Sequence, residues 1–339
     1  MFSQCCILFL FLFSVVYASY PAPGACIGSC WAHDPALIRR QDGTWFRFNT
    51  GGCIGIWKSR SLSGPWVNVG EALKGGSIIP IEGNKSLWAP DVHLIESKYY
   101  MTYSVSIFGT RNSAIGVATS PDMEPGSWTD LGSTGLQSSQ STPYNAIDSN
   151  LIKSGDHFLM NFGSFGGGIF QVPMSDLPTK IDTHEKINKL AYNATGRHSG
   201  EGSYMFHRHG FYYLLYSAGT CCGYKDKMPS RGEEYQIVMC RSRSPSSGFV
   251  NMDGTDCTQS GGSTLLASHD DVYGPGGQGV TTTESGDLLL YYHYANRTLG
   301  MADGDYVFGY NYLKFRDGWP YVTSAHEERT ASTEKTRRK

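Results

Sequence analysis

One structural unit is written five times along this chain, and that repetition limits its fold more than any other feature. Each copy opens with a short polar element, makes a turn and enters an aromatic-rich run. The turns are Gln41-Asp42-Gly43, Glu96-Ser97-Lys98, Lys153-Ser154-Gly155-Asp156, Arg208-His209-Gly210 and Glu284-Ser285-Gly286-Asp287. The runs behind them are residues 45–48, 99–103, 157–162, 211–216 and 288–293. Short β-branched or aromatic runs bounded by Gly, Asp and Ser read as strands joined by hairpins. A third run follows in at least four copies, at 54–57, 114–118, 168–172 and 236–240. Pro65-Trp66-Val67 and Ser127-Trp128-Thr129 are outer-strand candidates. No sustained helical period interrupts the pattern. Five copies of a four-stranded antiparallel unit predict an all-β fold, a five-bladed β-propeller. A β-sandwich competes with it but leaves the fivefold, in-register order unexplained. Residues 310–315 and 318–322 are expected to finish the last blade.

The opening elements carry acid. Asp34, Asp91 and Asp148 follow one another at intervals of 57 residues, and Glu201 comes 53 residues later. In the fifth copy Gly277-Gln278-Gly279-Val280 stands in that place. Repeated units bring equivalent positions to the same end, so the carboxylates of Asp34, Asp148 and Glu201 are expected at one mouth of the central channel. Carboxyl groups held in opposed protonation states can work as acid and base. A turn-capping role is the alternative for any one of them, and their recurrence disfavours it for the set.

Residues 1–18 hold an apolar run that ends in Val16-Tyr17-Ala18, which reads as a secretory signal. Residues 19–324 suit one large β domain, and the polar segment 325–339 reads as a disordered tail. A net charge of −2 gives no nucleic-acid footprint, and no membrane association beyond the leader is expected. The sequons at Asn84, Asn193 and Asn296 agree with export. Seven cysteines lie beyond residue 18, so at least one is unpaired within the chain. Cys26 or Cys30 is expected to pair with Cys53, and Cys240 with Cys257. Cys221 and Cys222 either join each other or pair elsewhere. The Cys and His spacings fit no zinc site.

Several motifs then converge. His33-Asp34-Pro35, Trp88-Ala89-Pro90-Asp91, Tyr144-Asn145-Ala146-Ile147-Asp148, Asn161-Phe162-Gly163-Ser164-Phe165 and Cys221-Cys222-Gly223 together resemble glycoside hydrolase family 43, in particular its endo-1,5-α-L-arabinanases. The resemblance spans about residues 28–322. It implies a five-bladed propeller that hydrolyses arabinan with inversion, secreted and acting as a monomer. By the same resemblance Asp34 is the general base, Glu201 the general acid, and Asp148 the carboxylate that orients the acid and raises its pKa. The acid motif departs from bacterial relatives in reading Glu201-Gly202-Ser203. Asp91 is not catalytic in the family and is expected to take a structural or channel-lining role. His293 corresponds to an axial histidine that approaches a metal ion, often calcium, largely through waters. Sugar contacts are expected from His33, Trp88, Phe108, Asn145 and Ser164. An exo-acting arabinofuranosidase or β-xylosidase of the same family is the nearest alternative. A silent sugar-binding propeller and a retaining β-fructosidase are further ones. The lack of a β-sandwich after Val322 and of an insertion over the mouth favours an open, endo-acting groove.

Overall fold

The computed structural model describes residues 20–194, 196 and 198–324. The leader and tail expected at 1–18 and 325–339 lie outside the described residues.

Among the described residues twenty strands form five sheets, each a four-stranded antiparallel meander in chain order. The first holds Ala36–Arg39 (β1), Trp45–Asn49 (β2), Gly55–Ser59 (β3) and Val67–Glu71 (β4). The second holds Leu87–Ile95 (β5), Lys98–Val105 (β6), Ser113–Ser120 (β7) and Thr129–Ser138 (β8). The third holds Asn150–Ser154 (β9), His157–Phe162 (β10), Ile169–Pro173 (β11) and Asn188–Ala191 (β12). The fourth holds Gly200–Arg208 (β13), Phe211–Ala218 (β14), Gln236–Ser242 (β15) and Ser263–Leu266 (β16). The last holds Val272–Thr282 (β17), Leu288–Asn296 (β18), Val307–Arg316 (β19) and Trp319–Thr323 (β20). These are the five expected blades, and the last blade ends where the sequence placed it.

Alternation along the strands explains the ring. Successive side chains on a strand point to opposite faces. In β2, Phe46 and Phe48 join a cluster with Met101 and Tyr103 of the second blade. Trp45 faces the other way, into a cluster with Leu289, Phe308 and Tyr310 of the last blade. Clusters between the second and third, third and fourth, and fourth and fifth blades complete the circle. The core is thus five seams between blades.

The seam between the last and first blades closes without a shared strand. The segment before the first blade runs along β19, with Gly24 N donating to Tyr310 O at 2.8 Å and Phe308 N to Cys30 O at 2.8 Å. Arg47 pins that segment. Its guanidinium is fully buried, lies 4.8 Å from the Trp66 ring and 4.7 Å from that of Phe308, and donates to the carbonyls of Ser29 and Trp31. Burial pushes its pKa down to about 9.

The disulfide expectations are met in part. Cys240–Cys257 forms, and Cys221 bonds to its neighbour Cys222. Cys26 and Cys30 bond to each other instead of to Cys53, which is free and buried. The reason is topological. Cys53 faces the seam with the second blade, whereas Cys26 packs in the seam with the fifth. Of the three sequons, Asn193 has its side-chain amide buried and donating to Ser199 O.

Candidate active site

Each blade places a left-handed residue at the top of its inner strand: Asp34 (φ 42°), Ala89 (43°), Asp148 (56°), Gly202 (59°) and Gly277 (56°), with Gly274 (58°) a second one in the last blade. The first five are the true equivalents of the repeat. Residue spacing misplaces two acids, Asp91 at the 57-residue interval and Glu201 at 53. In the second blade a bulge between Trp88 and Asp91 puts Ala89, not Asp91, at the equivalent point. In the fourth blade the equivalent is Gly202, and Glu201 precedes it beside another bulge.

The residue across the hairpin from each left-handed position latches the next blade. Thr50 Oγ accepts from Ala89 N at 2.8 Å, and Ser104 Oγ from Asp148 N at 3.0 Å. Ser217 Oγ accepts from Gly277 N at 3.0 Å. His293 Nδ1 accepts from Asp34 N at 3.0 Å and closes the circle. The third blade has Gly163 in this place, without a side chain. There Asp148 takes over, and its Oδ2 accepts from Gly202 N at 3.1 Å. One carboxylate of the trio therefore holds the peptide that carries Glu201.

Asp34 is a quarter exposed at the mouth. Its Oδ2 accepts from the Thr50 hydroxyl at 2.8 Å and lies 3.9 Å from His33 Nε2. Burial pushes its pKa up, but His33, His293 and the Thr50 hydroxyl outweigh burial and hold it below the usual carboxylate range. Burial, aided by His33, pushes His293 down to about 3. His293 also orients the Asp34 backbone, through the hydrogen bond that its Nδ1 accepts.

Glu201 accepts two hydroxyl donors, Ser164 Oγ on Oε2 at 2.5 Å and Tyr235 OH on Oε1 at 2.7 Å. Burial raises its pKa, the two hydroxyls oppose the rise and the Asp34 charge adds to it, with a net increase. Asp148 is raised further, by burial first and then by the charges of Glu201 and Asp34, against the Gly202 N–H. The two carboxyls titrate as one pair that keeps a proton above the ordinary carboxylate range. Asp34 is therefore ionised at pH values where the pair across the mouth still holds a proton.

Asp91 lines the axis as expected, below the mouth. It is buried and accepts from Leu151 N at 2.7 Å and Asn150 Nδ2 at 3.2 Å, with His93 Nε2 at 2.7 Å. It ties the second blade to the third. The axial cavity beneath Asp34 and Asp148 is about 40 Å³, room for about two ordered waters.

His293 is fully buried, and its Nε2 has no protein partner among the described residues. Because Nδ1 accepts a backbone N–H, Nε2 carries the ring proton. Direct ligation of a cation would require that proton to leave and the Asp34 N–H bond to break. The surrounding group, His33, Cys221 and His293, offers nitrogen and a sulfur tied up in a disulfide, whereas calcium takes oxygen. A directly ligated calcium ion does not fit these residues; one reached through waters does.

The expected sugar contacts fall into two kinds. Trp88 is half-buried at the top of β5, and Phe108 is 85% exposed on the β6–β7 loop of the same face. Asn145 and Ser164 are engaged within the protein: the Asn145 carbonyl accepts from Ser113 and Ser138, and Ser164 serves Glu201. Sequence reasoning missed Tyr235, Thr50 and the exposed Phe165. Thr50 was findable, because it stands near the end of the second strand of its blade as Ser104, Ser217 and His293 stand near the ends of theirs. Tyr235 gave no such signal, since its partner Glu201 lies on another strand. A cleft of about 380 Å³ lies on the same face over the second blade, lined by Ile81, Ile107, Thr110, Asn112 and Gln137.

With this geometry in hand, comparison with known proteins is specific. The family model for Glycosyl hydrolases family 43 matches residues 26–320. Arabinan endo-1,5-alpha-L-arabinosidase A of Aspergillus niger is 53% identical over 304 residues, covering 89% of this chain and 94% of that protein. The structure of Cellvibrio cellulosa alpha-L-arabinanase complexed with arabinohexaose superposes with a TM-score of 0.76 at 27% identity, over 89% of this chain and 97% of that one. An exo-1,5-alpha-L-arabinanase from a bovine ruminal metagenomic library superposes with a TM-score of 0.75 at 26% identity, over 86% and 96%.

Proposed function

This chain belongs to glycosyl hydrolases family 43, and from that premise we propose that it cleaves internal α-1,5-linked arabinofuranosidic bonds of arabinan with inversion. The observation that carries the reading is the geometry of one mouth, where Asp34 accepts from Thr50, Glu201 accepts from Ser164 and Tyr235, and Asp148 holds the Gly202 peptide; these surroundings push the pKa of Asp34 down and those of Asp148 and Glu201 up. The ionised Asp34 takes a proton from a water attacking the anomeric carbon. Glu201 gives its proton to the leaving oxygen, and the hydroxyls of Ser164 and Tyr235 are already placed to stabilise the carboxylate that remains. Asp148 shares the pair's proton and holds the Gly202 peptide. A single displacement by water turns an α linkage into a β product.

Endo action is supported by the Aspergillus relative, twice as similar in sequence as the exo-acting structure. The exposed Phe108 and Phe165 and the cleft over the second blade offer a chain surfaces away from the bond being cut. Both arms of the test use linear arabinan. Glu201→Gln and Asp34→Asn are each expected to lower turnover by roughly 10²–10⁴-fold, and proton NMR should show the β anomer first. Near-normal turnover in either variant, or an α product, removes the mechanism. Early release of monomer alone removes endo action.

We extend the proposal to export, oligomeric state and metal. Among the described residues no helix is long and apolar enough to cross a membrane. Export with cleavage after Ala18 gives a mature protein that starts at Ser19, which N-terminal sequencing checks. A monomer is expected from light scattering. Calcium, held through waters with His293 facing it, should raise Tm after dialysis against a chelator; an unchanged Tm removes the ion.

A further inference from the structure

The Cys221–Cys222 disulfide joins neighbours in the chain. A disulfide stabilises chiefly by closing a loop in the unfolded chain, and more so for longer loops. This one encloses no loop, in contrast to Cys240–Cys257 with a separation of 17. Its stabilising value as a cross-link is therefore close to nil, and its position has to be explained by something else.

That position is the mouth of the site. Both sulfurs rest against His33 Nε2, at 3.8 Å and 3.6 Å, and the same nitrogen lies 3.9 Å from Asp34 Oδ2. The pair is half-buried. Its flanks are tied to two other segments by three hydrogen bonds: Thr220 N donates to Glu233 O at 2.7 Å, Tyr235 N to Thr220 O at 3.1 Å, and Gly223 N to Asp303 Oδ1 at 2.8 Å. The His33 ring is fixed from its other sides by edge contacts with His293 at 4.8 Å and Tyr306 at 5.6 Å. A bonded sulfur pair has neither charge nor a proton to donate. It is a stiff, polarisable, apolar block on an anchored loop, set beside an ionised carboxylate in an otherwise polar mouth.

We infer that the Cys221–Cys222 disulfide is a specificity wall of the subsite at Asp34. It holds His33 in place and offers an apolar face to the furanose ring that carries the bond to be cut. A pentofuranose has a hydrogen-rich edge that packs on such a face; a sugar carrying an extra polar substituent there would leave that substituent without a partner. The inference rests on the reading of Asp34 as the water-activating base.

The test compares two disulfide-less variants of the full chain. Cys221→Ala/Cys222→Ala should raise KM for linear arabino-oligosaccharides about 10-fold, the scale of a lost apolar pocket contact, with a smaller fall in kcat and little change in Tm. Cys240→Ala/Cys257→Ala should do the reverse, lowering Tm and leaving KM in place. Titration calorimetry of a linear arabino-oligosaccharide into Glu201→Gln protein, with and without the Cys221–Cys222 bond, should show the same 10-fold loss in Kd. Unchanged KM and Kd overturn the wall, and so does a Tm fall as large as that of the Cys240–Cys257 variant. A wild-type protein that binds the oligosaccharide but does not cut it would strike the hydrolytic reading alone, because the Kd comparison does not depend on chemistry.

Discussion

Tyr235→Phe isolates the role of one hydroxyl. The ring would stay where it stacks on His293, at 6.1 Å between centroids, so the packing survives and only the O–H on Glu201 Oε1 is lost. A hydrogen bond to a charged group is worth about 1.5–3 kcal/mol, or roughly 1–2 pKa units. This donor favours the ionised form of Glu201, so its loss raises the pKa of the pair. The basic limb of kcat/KM, where activity fades as the pair loses its proton, should move up by roughly 1–2 pH units. The same bond stabilises the carboxylate as it forms. If about half of that charge has developed in the transition state, the rate falls roughly 4- to 13-fold. The assay is a pH–rate profile on linear arabino-oligosaccharides beside an aryl arabinobioside with a nitrophenolate leaving group, which needs little help from an acid. The loss should be confined to the oligosaccharide. An unmoved basic limb, or equal losses on both substrates, would refute the assignment of Tyr235 to the acid.

Three further outcomes follow from the latch positions. A Cβ at Gly277 would stand 2.5 Å from Asp34 Oδ1 and 2.7 Å from His293 Nδ1, so Gly277→Ala should cost on the order of 10²-fold in kcat through a displaced base, with Tm only a few degrees lower; unchanged turnover would show that the base has room. The raised carboxyl of Asp148 means that its contribution to stability is present below the ordinary value of 3.8 and is lost as pH rises through its folded value. Asp148→Asn should accordingly raise Tm at pH 7 and lose that advantage near pH 4 while turnover falls, and a lower Tm at pH 7 would contradict the burial argument. His293 is the opposite case. Its folded pKa of about 3 contributes stability that is complete above 6.5 and lost as pH falls, by up to about 1.4 kcal/mol per pH unit. The unfolding free energy of wild type minus His293→Asn should shrink between pH 6 and pH 4, and a flat difference would mean that the imidazole is not held neutral.

The fold was legible because strands declare themselves locally. Phe46, Phe48 and Trp45 alternate, and the turn at Gln41-Asp42-Gly43 has counterparts in every blade. The register at the top of each blade was not legible. The spacing that linked Asp34, Asp91 and Asp148 counts residues, whereas the structure counts hydrogen-bonded pairs, and the bulge sets Ala89 and Pro90 together opposite Tyr103, using one residue without advancing the ladder. The left-handed backbone at Asp34, Ala89 and Asp148 is uncommon for residues with a Cβ, and although Asp adopts it more readily than most, Ala gives no sign of it. Cys53 misled for a related reason: nearness in sequence to Cys26 and Cys30 says nothing about which seam each one faces. Tyr235 reaches Glu201 only once β13, β14 and β15 have been laid side by side.

The latch from His293 to the Asp34 backbone also sets a clock. The base belongs to the first blade made, and the group that aims it belongs to the last. A chain emerging during synthesis carries Asp34 early, but nothing holds that residue in its working orientation until the fifth blade has docked against the first. Catalytic competence should therefore arrive all at once, late, and only in molecules whose ring has closed. A fragment that ends before β18 would carry all three carboxylates and still lack a positioned base.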